Sequence, residues 1–151
     1  MNKELIINSA PQGVEIALLE DKKLVELHNE KADASFAVGD LYLGKVRKLI
    51  PGLNAAFVDV GFEKDAFLHY TDLSPYAKSL LKFTQQSIND TEGNLDFSKF
   101  EVEAEIVKTG KINEVLGGKP NVLVQILKEP IAAKGPRLSC EISLPGRFVV
   151  I

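Results

Sequence analysis

Between Leu41 and Leu73 the chain reads LYLGKVRKLIPGLNAAFVDVGFEKDAFLHYTDL, and this stretch holds the residues most able to do chemistry. Lys45 and Arg47 are cations, Phe57 and Phe67 are flat rings, and His69 is both ring and titratable base. Successive side chains of a strand point to opposite faces. In AAFVDVG, an inward Val58 and Val60 leave Phe57 outside beside Asp59. In AFLHY, an inward Ala66 and Leu68 leave Phe67 and His69 outside. In YLGKVRKLI, Tyr42, Val46 and Ile50 go in and Lys45 and Arg47 go out. Three strands in a meander would gather these outward residues into one patch. An exposed phenylalanine forgoes about 2 kcal/mol of burial. Stacking on nucleobases, worth ~1–3 kcal/mol per base, supplies a reason to leave two outside. Cations beside them add a salt-dependent attraction for phosphate. The alternative is that the helix expected at 75–87, or another domain, covers the rings. A lone histidine such as His69 is more often structural than a ligand.

The elements that must position this patch are mostly strands. Glu4–Asn8, Val14–Leu19 and Leu24–His28 read as short strands, the last two with residues alternating between faces, and Glu20-Asp21-Lys22-Lys23 turns those two into a hairpin. These strands need cover that nothing nearby is long enough to provide. The pattern restarts at Gly39-Asp40 with a strand to Ile50, a Pro51-Gly52 turn, a strand over 54–60, a turn at Gly61 and a strand over 65–69. Ser74 as cap and Pro75 at the first helical position predict a helix to about Ser87. Residues 88–110 read as a partly mobile insertion, although Phe100, Val102, Ala104 and Ile106 alternate with glutamates as a strand would. Val122–Lys128 is a strand, 130–136 a loop with a basic tip, and Leu138–Leu144 and Arg147–Ile151 two more strands. The chain stops inside the apolar run Phe148-Val149-Val150-Ile151, which predicts a segment of a longer protein.

Composition bounds the function classes. A chain of 151 residues with 45% apolar and 26% charged residues fits one domain, or one and part of a second. No apolar run approaches the ~20 residues that span a bilayer, and no secretory signal opens the chain. The single Cys140 excludes an internal disulfide and a cysteine zinc site. Together these predict the cytoplasm and no membrane partner. The net charge of −3 argues against a nucleic-acid partner only on average. Asp90, Glu92, Asp96, Glu101, Glu103 and Glu105 crowd the insertion, whereas Lys45, Arg47, Lys48, Lys128, Lys134 and Arg137 lie in the body. Asp59, Asp65 and Asp72 invite a metal reading, but nothing in their spacing makes them converge.

GKVRKLIPGLNAAFVDVGFEKDAFLHYTDL resembles the opening strands of the S1 RNA-binding domain, a five-stranded oligonucleotide/oligosaccharide-binding (OB) barrel, with Ala66 where that pattern usually has glycine. LIINSAPQGVEIALLEDKKLVEL, LNAAFVDVG, KINEVLGGKPNVLVQILKEP and AAKGPRLSCEISLPGRFVVI extend the likeness to the bacterial ribonuclease E/G endoribonucleases, on the ribonuclease G side. The resemblance covers nearly the whole chain except the acidic insertion. It implies a mainly β protein in three parts. Residues 1–36 would be the first strands of an incomplete subdomain resembling ribonuclease H. Residues 37–137 would be the S1 barrel with an insertion at about 74–110, and residues 138–151 the return toward that subdomain. It also implies that Phe57, Phe67 and Lys134 hold single-stranded RNA; alternation, not the resemblance, sets Lys45, Arg47 and His69 beside the two rings. No catalytic or metal-binding residue maps onto the chain. The Mg2+ and Zn2+ of the family belong to regions further along, as do contacts of a homo-oligomer. The expected role is therefore RNA binding within an endoribonuclease of RNA processing and decay, without cleavage by the segment itself. A free-standing S1 translation factor and a protein–protein module are the alternatives.

Overall fold

The computed structural model describes residues 2–31, 36–91, 93, 96–146 and 148–151. The chain divides into two compact units, Met1–Ser35 and Phe36–Ile151. The first is an antiparallel meander of β1 (Lys3–Ala10), β2 (Gly13–Glu20) and β3 (Lys23–Lys31). Its second turn places Asp21 and Lys22 both at positive φ, 46° and 65°, the backbone that a two-residue hairpin demands. Asp21 closes that end by accepting the Asn2 N–H on its carboxylate at 2.9 Å.

The second unit is a closed barrel. Its strands are β4 (Leu41–Ile50), β5 (Ala55–Asp59), β6 (Ala66–His69), β7 (Asn121–Lys128) and β8 (Arg137–Ser139), ordered β4-β5-β6-β8-β7 around the wall. All pairs are antiparallel except β6 with β8. Numbered from its first strand, that is the 1-2-3-5-4 closure of an OB-fold. Val46, Val58, Leu68, Val124, Ile126 and Leu138 fill the interior. Gly44 lets β4 approach β5, since a Cβ there would sit 2.5 Å from Val58 Cγ1.

A bulge between Val46 and Lys48 corrects one inward assignment. It shifts the parity of β4, so that Leu49 rather than Ile50 packs on the core. The helix α1 (Ala77–Asn89) starts later than Ser74-Pro75 suggests. Ser74 still organises the entry, its hydroxyl accepting the Tyr76 N–H at 3.2 Å and its carbonyl the Ala77 N–H at 2.9 Å. A short α2 (Ile112–Leu116), which the sequence reading did not anticipate, buries Ile112 and Leu116 in the barrel core.

The alternating segment at 100–106 has no regular secondary structure and joins no sheet. Side chains of α1 satisfy its backbone instead. Glu103 N–H donates to Ser79 Oγ at 2.8 Å, and Lys82 Nζ donates to Glu101 O at 3.0 Å and to the Glu103 carboxylate at 2.7 Å. The strand expected over 138–144 spans only 137–139. Beyond it the chain carries a single bridge, Pro145 with Val150, in place of a strand over 147–151; Arg147 lies outside the described residues.

Candidate nucleic-acid interface

Alternation in β5 and β6 puts Phe57 and Phe67 on the face opposite Val58 and Leu68. The two phenylalanines are direct cross-strand partners. Their ring centroids lie 6.0 Å apart, with planes inclined by 68°. The His69 ring stacks near Phe67, 6.4 Å away at 27°. It is fixed through Nδ1, which accepts the Thr71 N–H at 3.2 Å and lies 2.7 Å from the Thr71 hydroxyl. Phe57 and Phe67 are each half-buried: neither sits in the barrel interior, and neither stands fully in water.

A groove of about 610 Å3 runs past these rings and is lined by Phe57, Lys64, Phe67, Lys134, Gly135 and Arg137 among others. The far wall is the loop between β7 and β8. Lys134 N–H donates to Ile131 O at 3.0 Å, with Ala132 at a φ of 51° in the tight turn between. Gly135 is pressed against the start of β6. A Cβ there would lie 2.3 Å from the Asp65 carbonyl oxygen, so only glycine lets the loop approach so closely. Phe67 N–H donates to Pro136 O at 2.8 Å and completes that seam.

Of the residues singled out from sequence, the groove gathers Phe57, Phe67 and Lys134, with His69 stacked on Phe67. Lys45 and Arg47 are exposed but do not line it. Arg47 is occupied: its Nε donates to the Asp59 carboxylate at 3.1 Å. The Gly61 backbone N–H, and then Arg47, hold the Asp59 carboxyl below its ordinary range. Lys64 and Arg137 were missed as site residues. Parity about Leu138 would have turned Arg137 outward, but the parallel pairing that sets it beside Phe67 joins strands far apart in sequence.

Among the described residues, no three His, Cys, Asp or Glu side chains converge. Asp59 and Asp72 are engaged with Arg47 and Arg137. Cys140 is buried, and desolvation, helped by the Asp72 charge, pushes its thiol up to about 12. No helix among the described residues is long and apolar enough to cross a membrane.

A closed OB barrel with half-exposed aromatic rings and cations along one groove defines the fold class. Sequence comparison is more particular. No family model matches the chain. Ribonuclease G of Escherichia coli strain K12 is 32% identical over 150 residues, which cover 99% of this chain and 27% of that protein. Ribonuclease G of Haemophilus influenzae is 34% identical over 147 residues, 97% of this chain and 26% of that protein. Ribonuclease E of Nostoc sp. strain PCC 7120 is 36% identical over 152 residues, 100% of this chain and 18% of that protein. The chain belongs to the ribonuclease E/G family. It spans about a quarter of the length of the ribonuclease G relatives it matches.

Proposed function

We propose that the barrel holds single-stranded RNA in the groove between Phe57, Phe67 and Lys134, as an S1-type substrate-binding segment of a cytoplasmic endoribonuclease of RNA processing and decay. The observation that carries this reading is the cross-strand phenylalanine pair, half-exposed and facing a lysine across one groove. Bases stack on the rings, and Lys134 supplies a mobile point charge for phosphate. Lys45 and Arg47 act only as a diffuse positive flank, since Asp59 occupies Arg47. On this reading the segment binds and does not cut. Cleavage, with its metals, belongs to the parts of the family's length that the chain does not match, and residues 1–36 and 138–151 contribute to a subdomain resembling ribonuclease H.

Titration of a short labelled single-stranded RNA at two ionic strengths tests the reading. Phe57→Ala or Phe67→Ala should weaken binding by about one to two decades with the barrel still folded. Lys134→Gln should weaken binding to all sequences and lower the salt slope by about one. Loss of folding in the phenylalanine variants would make the rings core. Binding indifferent to salt would favour an apolar protein partner instead.

A further inference from the structure

Strict alternation from the buried Val46 would turn Lys48 into the barrel. The bulge in β4 prevents this. Val46 stands opposite Val58, Arg47 is the inserted residue, and Lys48 takes the place opposite Phe57. Leu49, opposite the buried Ala56, then resumes the inward face. Residues directly opposite each other in an antiparallel ladder share a face and stand about 5 Å apart. Phe57 is in turn opposite Phe67, and Phe67 is the register partner of Arg137. Lys48, Phe57, Phe67 and Arg137 thus form one outward row that crosses β4, β5, β6 and β8. The bulge is what puts a cation at its β4 end.

Charge separates Lys48 from the other cations of its strand. Arg47 donates to the Asp59 carboxylate at 3.1 Å, and Lys45 is the register partner of that same Asp59. A phosphate brought to either meets the carboxylate's repulsion together with the cation's attraction. Lys48 is exposed, has no ion pair among the described residues, and faces a ring rather than a carboxylate across the ladder. Its position also complements the groove. The groove's cations, Lys64, Lys134 and Arg137, come from the approach to β6, from the β7–β8 loop and from β8. All three lie on the Phe67 side of the ring pair, and Lys48 is the cation on the Phe57 side.

We infer that Lys48 is a further RNA-binding residue, a phosphate contact beyond the Phe57 end of the groove. With one base on Phe57 and its neighbour on Phe67, the sugar–phosphate backbone passes from the Lys134 flank to the Lys48 flank. Lys48 then takes the phosphate on the outer side of the base that stacks on Phe57. A compact ammonium on a flexible stem suits that task, since it reaches the phosphate whatever base the ring carries. The contact fixes where the strand leaves the rings and carries no sequence preference of its own. This role rests on the RNA-binding reading of the groove, and the experiment separates the two.

The full 151-residue chain is titrated with a labelled octauridylate over a range of salt concentrations. Lys48→Gln should weaken binding by roughly three- to fivefold, the size of an exposed charge pair. It should also lower the salt slope by about one. Lys48→Arg, which keeps the charge, should restore both. Lys45→Gln, on the same face of β4 but opposite Asp59, should change both by less than Lys48→Gln does. Circular dichroism melts confirm folding, and Lys48→Ala is read in place of Lys48→Gln should that variant melt early. Salt-dependent binding by the unaltered chain that Lys48→Gln leaves untouched overturns the inference and leaves RNA binding standing. A loss of affinity with the salt slope intact overturns it too, because it makes Lys48 a packing neighbour of Phe57. So does a loss in Lys45→Gln as large as in Lys48→Gln, which makes the whole strand a diffuse field. Failure of the unaltered chain to bind the octauridylate takes down both readings.

Discussion

The barrel and the three-stranded sheet use the same kind of strand, aliphatic residues alternating with polar ones, yet only the barrel makes a core of them. In the barrel, Val58, Leu68, Val124 and Leu138 are sealed from water because each strand has a neighbour on both sides and the inward faces meet. In the sheet, Leu5, Ile7, Leu24 and Leu27 remain exposed. Register explains part of this. Leu5 and Ile7 share one face with Ile16 and Leu18, whereas Ile6 shares the other with Ala17 and Leu27. Both faces of the sheet are thus apolar, and three strands cannot curl far enough to cover either. Closure, and not composition, decides whether alternation is converted into burial.

The largest test of that contrast is a matched pair of truncations. Leu68, 0% exposed, becomes a cavity when replaced by alanine, and Leu68→Ala should lower barrel stability by about 2–5 kcal/mol in denaturant melts. Leu27, 62% exposed, loses little, and Leu27→Ala should change stability by under ~0.5 kcal/mol. A comparable loss at Leu27 would show that the sheet is covered in solution, and would break the comparison.

The second test lies at the groove wall. Gly135→Ala drives a Cβ against the Asp65 carbonyl, and the loop carrying Lys134 must move away from Phe67. RNA affinity should fall by roughly tenfold, given the weight of a displaced charge-assisted contact, while the barrel melt changes less than in Leu68→Ala. An affinity fully retained would mean that Lys134 reaches RNA from wherever the loop sits. Exposed turns lack this constraint. Lys22 lies at positive φ in open solvent, so Lys22→Gly should stabilise the β2–β3 hairpin by about 1 kcal/mol, read as slower amide exchange in β2.

Much of this was legible in the sequence, and the failures share a cause. Two-residue periodicity placed β5, β6 and β7 and turned Phe57 and Phe67 outward, because alternation is a local property. The Ile50 assignment failed because a bulge inserts an extra residue that alternation cannot register. The glutamate-rich segment at 100–106 has the period of a strand, yet α1 satisfies its backbone through Ser79 and Lys82. Arg137 was counted only as a nearby cation, since its place beside Phe67 depends on a parallel pairing across most of the barrel. Local chemistry could be read directly; which strands meet could be reached only by resemblance.

The smallest predicted effect concerns pH at the barrel rim. Asp59 carries a carboxyl held below its ordinary value by the Gly61 backbone N–H and by Arg47. A carboxyl depressed in the folded state stabilises fully above its unfolded value, and that contribution disappears as pH falls through the folded value. The window is therefore acidic, and neutral conditions lie on its plateau. Asp59→Asn should flatten the acid limb of the melting curve slightly while leaving the neutral melting temperature nearly unchanged, because the pair with Arg47 is solvent-exposed and weak. The sheet offers a contrast at the other end of the scale: Lys3 is raised by its hydrogen bond to Glu20, so its contribution is present at neutral pH and is lost in strong base. Acid sensitivity that survives Asp59→Asn unchanged would move its origin away from the β4–β5 edge.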